Sequence, residues 1–136
     1  MVQTYDIEAV IFQELINNGE LTGELTGDIY QGERPINSEL EDIVINTIAL
    51  TQNYSPQLAT TNINIHVKDK LIKAGGKQQR VENRERLKLL AGLALDTIRA
   101  AKVEGMGKTI DNQATINQPE IGQHYVNIRI TWSIHI

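Results

Sequence analysis

Cysteine is absent from this chain of 136 residues. Disulfide frameworks, thiolate metal sites and cysteine nucleophiles are thereby excluded, and the redox compartment is left open. Aromatic side chains are scarce, with one Phe, one Trp and four Tyr. So few rings do not furnish the stacking platform on which single-stranded nucleic acid is held. No apolar run approaches the ~18 residues that a membrane-spanning helix needs, so no membrane partner is expected. The opening segment, MVQTYDIEAVIFQEL, carries acids where a signal peptide has a positive flank. These features predict a soluble protein made and kept in a cytoplasm.

What is present is an uneven distribution of charge. Residues 1–66 hold ten acids and one base, Arg34, for a net −9; residues 67–136 hold twelve bases and seven acids, for a net +5. Most of the basic excess lies in KDKLIKAGGKQQRVENRERLK, residues 68–88, where eight bases face three acids. Charge runs are commonly solvated loops and helix flanks. The sharper reading is a head-to-tail contact between unlike patches of identical subunits, which closes into a ring or grows a filament. An acidic protein overall lacks the broad basic footprint of a nucleic-acid binder, so no specific nucleic acid is expected.

Periodicity predicts an α+β fold in one domain over residues 1–136, with two main helices on one face of a single sheet, mostly antiparallel with a mixed sheet as the alternative. Ile7, Val10, Ile11 and Leu15 recur at helical spacing, with Thr4 or Asp6 placed to cap the start and Gly19 to end it. NNGELTGELTG then reads as a turn or loop, DIYQGE as a short strand, and Pro35 as a break. DIVINTIAL, residues 42–50, is so uniformly apolar and β-branched that it reads as a strand covered on both faces. After the loop QNYSPQLATT, NINIHVK alternates, with Ile63, Ile65 and Val67 inward. A long helix runs from about Glu82 to about Lys102, with Leu87, Leu90, Ala91, Ala94, Leu95, Ile98 and Ala101 on its apolar face. Two strands close the chain, the last presenting Val126, Ile128, Ile130, Trp132, Ile134 and Ile136 to one side. The order is α-β-β-β-α-β-β, and the long last strand is expected at a sheet edge.

The sequence offers no catalytic constellation. EGMGKT, residues 104–109, ends like a phosphate-binding loop, but Lys102 stands where the motif needs glycine, and a helix rather than a strand precedes it. His66, His124 and His135 have no HxH or HxxxH spacing, although His66 and His135 would approach if their strands paired suitably. None of the three serines sits in a GxSxG elbow. Glu39, Glu41 and Asp42 form a crowd of acids, but acids beside a turn are more often solubilising or interface charges. No enzyme activity, metal or cofactor is expected.

Three features together resemble a known family. They are ERPINSELEDIVINTIAL (residues 33–50), NINIHVKD (residues 62–69), and the long helix followed by a closing hairpin. Over most of the chain they are similar to the small tail-completion, or tail-terminator, proteins of long-tailed bacteriophages and prophages. The resemblance implies an α/β subunit that assembles into a ring, commonly of six, on the end of the tail tube. Such a ring stops tube growth and meets the head connector, so the implied partners are further copies, tail-tube proteins and head-connector proteins. The implied location is the cytoplasm of a bacterial host and then the assembled virion.

On this reading INSELED faces a neighbouring subunit. Glu39, Glu41 and Asp42 would meet Lys70, Lys73, Lys77 and Arg80 in a flexible glycine-containing loop of that neighbour, an idea motivated by the charge asymmetry. The alternative is a regulatory or nucleic-acid-binding module that uses the basic segment 68–88.

Overall fold

Residues 2–53 and 55–135 are described by a computed structural model. Helices α1 (Thr4–Ile16) and α2 (Gly19–Glu24) come first. Strands β1 (Ile29–Gln31), β2 (Asp42–Leu50), β3 (Gln57–Lys68), β4 (Lys70–Ala74) and β5 (Lys77–Val81) follow, then α3 (Arg84–Ala100), β6 (Met106–Gln118) and β7 (Gln123–Ile134). Five strands form one sheet in the order β1-β2-β3-β7-β6, and β4-β5 is a separate two-stranded sheet. β1 runs parallel to β2 and every other pairing is antiparallel, so the fold is α+β with a mixed sheet.

Alternation along the strands decides where the core lies. Ile43, Ile45, Ile63, Ile65, Val67, Val126, Ile128, Ile130, Trp132 and Ile134 share one sheet face. Ile7, Ile11 and Leu15 of α1 and Leu87, Leu90, Ala91, Ala94 and Ile98 of α3 close over them. Each fully buried aliphatic side chain contributes about 1.5–3 kcal/mol. Ile136, expected on the same face, lies outside the described residues, as does Tyr54 of the preceding loop. The backbone N–H of Gln3 donates to the Asp6 carboxylate at 2.7 Å, so Asp6 secures the start of α1.

Several polar groups inside this core are matched to one another. The register of β2 against β3 shifts between Thr47 and Ala49, and the Thr47 N–H donates to Oε1 of buried Glu8 on α1 at 2.7 Å. Thr47 and Thr61 hydroxyls lie 2.9 Å apart, and the Trp132 indole N–H donates to the Thr61 hydroxyl at 3.0 Å. Ile48 falls on the outer face by alternation and is 57% exposed, while the shift brings Leu50 onto the core face opposite Ala59. Ile43, Val44 and Ile45 are buried as expected, but coverage of β2 on both faces ends there.

Five expectations need correction. QLATT, expected within a loop, begins β3 and pairs with β7 from Gln57↔Ile134 onward. NNGELTG contains a helix, α2, because the Asn18 side chain accepts from the Glu20 and Leu21 N–H groups and Leu21 is fully buried. The last strand is interior, between β3 and β6, and β6 forms the edge. Its long apolar alternation reports one buried face, which edge and central strands share. His66 and His135 do not approach, since antiparallel pairing sets His66 opposite Tyr125 while β7 ends against Gln57 at the other end of β3. The basic segment is an ordered hairpin, with Gly75 (φ 59°) and Gly76 (φ 77°) taking the two left-handed turn positions.

Candidate interaction surface

The hairpin of β4 and β5 follows from a short sequence, KLIKAGGKQQRV. The Gly-Gly pair supplies the two positive φ angles of a tight turn, and the flanking residues pair from Lys70↔Val81 to Ala74↔Lys77. Every residue from Lys70 to Arg80 is exposed. Lys70, Lys73, Lys77 and Arg80 therefore stand together on an arm that pairs only with itself. Leu71 and Ile72 on the same arm are 56% and 38% exposed. Arg80 packs over the turn after β6, where a Cβ on Gly122 would lie 2.5 Å from its guanidinium.

The three acids expected to meet this arm have different fates. Glu39 is exposed, with its carboxylate 3.7 Å from Lys68 Nζ. Glu41 is buried and accepts two hydrogen bonds from Arg86 of α3, at 2.6 and 2.8 Å. Arg86 also donates to the Glu24 carboxylate at 2.9 Å and to the Glu24 carbonyl at 2.8 Å, tying α3 to the end of α2. These bonds, to Glu41 first and Glu24 second, hold the guanidinium pKa above its already high ordinary value.

Asp42 is fully buried. Its carboxylate accepts from the Ser38 hydroxyl at 2.5 Å, the Asp28 N–H at 3.1 Å and the Arg34 guanidinium at 3.3 Å. Gly27 permits this approach, because a Cβ there would sit 1.9 Å from Asp42 Oδ1. Arg34 also donates to the Gln123 side-chain oxygen at 2.7 Å, and the Gln123 amide returns to the Ser38 carbonyl at 2.7 Å. The loop between β1 and β2 is thus fastened across one end of the polar sheet face. His66 lies beneath it, opposite Asp42 in the ladder, and its ring packs against Tyr125 with centroids 5.0 Å apart. Burial, with the Arg34 charge beside it, pushes the His66 imidazole down to about 4.

The uneven charge of the sequence does not become two separate patches of equal weight. Glu41 with Arg86, Asp42 with Arg34, and Asp69 with His124 at 2.5 Å are paired within the chain. Arg84 lies 2.8 Å from Glu82. The physical reason is the tertiary fold. The β1–β2 loop returns Arg34 to Asp42, and α3 returns its first turn to the α2–β2 junction. The end of β3 lies beside the start of β7 and so sets Asp69 by His124. Glu41 and Asp42 set the shape of the INSELED turn, and Glu39 alone of the three is exposed. The sequence contains the signal for the arm, a Gly-Gly pair between two five-residue segments, but its lysines mask the strand pattern.

Two openings lie along β6, and the second borders the arm. A groove of about 510 Å³ runs between α3 and β6, lined by Leu87, Ala91, Gly92, Leu95, Gln113, Thr115 and Val126 among others. A second, of about 870 Å³, separates Lys70, Arg80 and Val81 of the hairpin from Thr115 and Asn117 of β6. Among the described residues no three His, Asp or Glu side chains cluster as a metal site would require. No described helix is long and apolar enough to cross a membrane.

No protein-family model matches the chain, and no curated protein matches it. Its fold does match a solved structure, a chain of the virion of a native gene transfer agent (GTA) particle, with a TM-score of 0.70. The match covers 96% of this chain and 95% of that one, at 9% sequence identity. The chain thus shares its fold, almost end to end, with a chain from a gene transfer agent virion.

Proposed function

We propose that this chain is a non-enzymatic structural protein of a phage-like particle, forming a ring that ends a tail tube and meets the head connector. The observation that carries the reading is the whole-chain likeness of fold to a chain of a gene transfer agent virion. Coverage above nine-tenths of both chains makes the likeness one over nearly the whole of each chain rather than over a shared fragment. The exposed hairpin adds support, because an arm whose strands pair with no other strand among the described residues suits contact with a neighbour. Lys70, Lys73, Lys77 and Arg80 orient that contact, and Glu39 lies at its rim. Exposed ion pairs stabilise by only ~0–1 kcal/mol each, so buried apolar surface supplies most of the affinity.

The test is sedimentation of the native chain beside a Lys73→Glu/Lys77→Glu variant. Both residues are exposed, so the variant folds, and loss of two oriented pairs weakens association by about tenfold. Unchanged association removes the arm from the interface. Hairpin-dependent binding of DNA that falls steeply with salt would favour the nucleic-acid module instead. Internal pairing of Arg86 and Arg84 has already thinned the basic surface of segment 68–88.

A further inference from the structure

The two edges of the main sheet are unequal. β1, at one edge, has three residues; β6, at the other, has thirteen. Sheets ordinarily keep free edges short, charged or covered, because a free edge is a template for another strand. β6 has one interruption, a register shift between Ile110 and Asn112. Beyond it, residues 112–118 pair regularly with β7 and leave an uninterrupted outer edge of about 24 Å at roughly 3.4 Å per residue.

The hairpin has the complementary deficiency. A two-stranded hairpin is at best marginally stable in water without a third strand or a packing partner. Its strands are five residues long, about 17 Å, and fit within that stretch of β6. It is not paired with its own β6, from which a cleft of about 870 Å³ separates it.

We propose that the β4–β5 hairpin of a second copy adds as a strand to the outer edge of β6 over residues 112–118, extending the sheet from one subunit into the next. The apolar side chains match on both faces. Leu71 and Ile72 are consecutive on a strand and so point to opposite sides of the hairpin. On the helix side of the β6 edge lies the groove floored by Leu87, Ala91, Leu95 and Val126. On the other side Ile116 is 38% exposed. Glu82 and Glu85, which line the openings beside the β6 edge together with Arg84 and Lys88, offer counter-charge to an arm that carries no acid between residues 70 and 81. This inference deepens the assembly reading above and rests on it.

The absence of native cysteine makes disulfide trapping clean. Full-length single variants Gln78→Cys and Gln79→Cys would each be mixed with Thr115→Cys and Ile116→Cys under mild oxidation, with Gln13→Cys on α1 as the control acceptor. Strand addition predicts hairpin-to-β6 dimers well above the control in at least one mixture. Amides of residues 112–118 and of the hairpin should also exchange more slowly in the assembled form. Leu71→Asp/Ile72→Asp should raise the dissociation constant at least about tenfold, the loss expected when two buried aliphatic contacts are removed. Oligomers that show neither cross-links nor protection at β6 would overturn strand addition and leave the ring reading standing. A monomer under all conditions would overturn both.

Discussion

Removing Arg86 tests how far the acidic turn is built for the inside of the chain. Its guanidinium bridges Glu41 and Glu24, and the two side chains at the main contact are only 28% and 10% exposed. Breaking a buried pair from one side typically destabilises by 3–5 kcal/mol, because the remaining charge is left without compensation. Glu41 keeps only a long 3.4 Å bond from the Thr26 N–H, and Arg86 is itself part-exposed, so about 3 kcal/mol is expected for Arg86→Ala. The Glu24 contact is more exposed and adds less than ~1 kcal/mol. With an unfolding entropy of about 2.1 cal/mol/K per residue, 3 kcal/mol lowers the melting temperature of this 136-residue chain by about 10 °C. Thermal unfolding followed by circular dichroism measures this directly. A double-mutant cycle with Glu41→Gln should return a coupling of about 2 kcal/mol. A fall below about 3 °C, or additive single effects, would refute the account of Glu41 as an internal anchor. The same reasoning means that reversing Glu41 or Asp42 to lysine would report on folding before it reported on assembly.

Two further outcomes follow from buried groups. Thr61→Val keeps the shape of a fully buried side chain but strands the Trp132 indole N–H, and a loss of about 1–3 kcal/mol is expected. Trp132 is the sole tryptophan, so urea unfolding followed by its fluorescence reads the change, and a loss under ~0.5 kcal/mol would contradict the hydrogen bond. His66, lowered from 6.5 to about 4, favours its neutral form when folded. That contribution is complete above the unfolded value and is lost as pH falls from about 6.5 towards 4, by up to about 3 kcal/mol. His66→Gln should flatten this part of the stability–pH curve in urea titrations at pH 7 and pH 4.5, and an unchanged slope would contradict the assignment.

Much of the fold is legible in the residues for local reasons. Strict alternation at Ile63, Ile65 and Val67 and from Val126 to Ile134 marks core-facing strands, and the helical stripe from Leu87 to Ile98 marks α3. Strand order is not legible, since nothing in the local pattern of β7 distinguishes an edge from a centre; that depends on which distant segment pairs with it. α2 is hidden because Gly19 and Gly23 disfavour a helix that Asn18 capping and burial of Leu21 sustain. The charge pattern misleads for a related reason. Net charge along a sequence says nothing of partners forty-five positions apart, which is how Glu41 and Arg86 find each other. The exposed arm is the part of the candidate surface that composition did point to, through its four bases, although the hairpin itself shows only in the Gly-Gly turn.

The most direct test of assembly is the mass of the native chain by light scattering after size exclusion, across protein concentration and at low and high salt. The account predicts one discrete species several times the 15.2 kDa subunit, surviving dilution in proportion to its buried apolar contact and shifting modestly with salt. A 15.2 kDa monomer at every concentration and salt would contradict it.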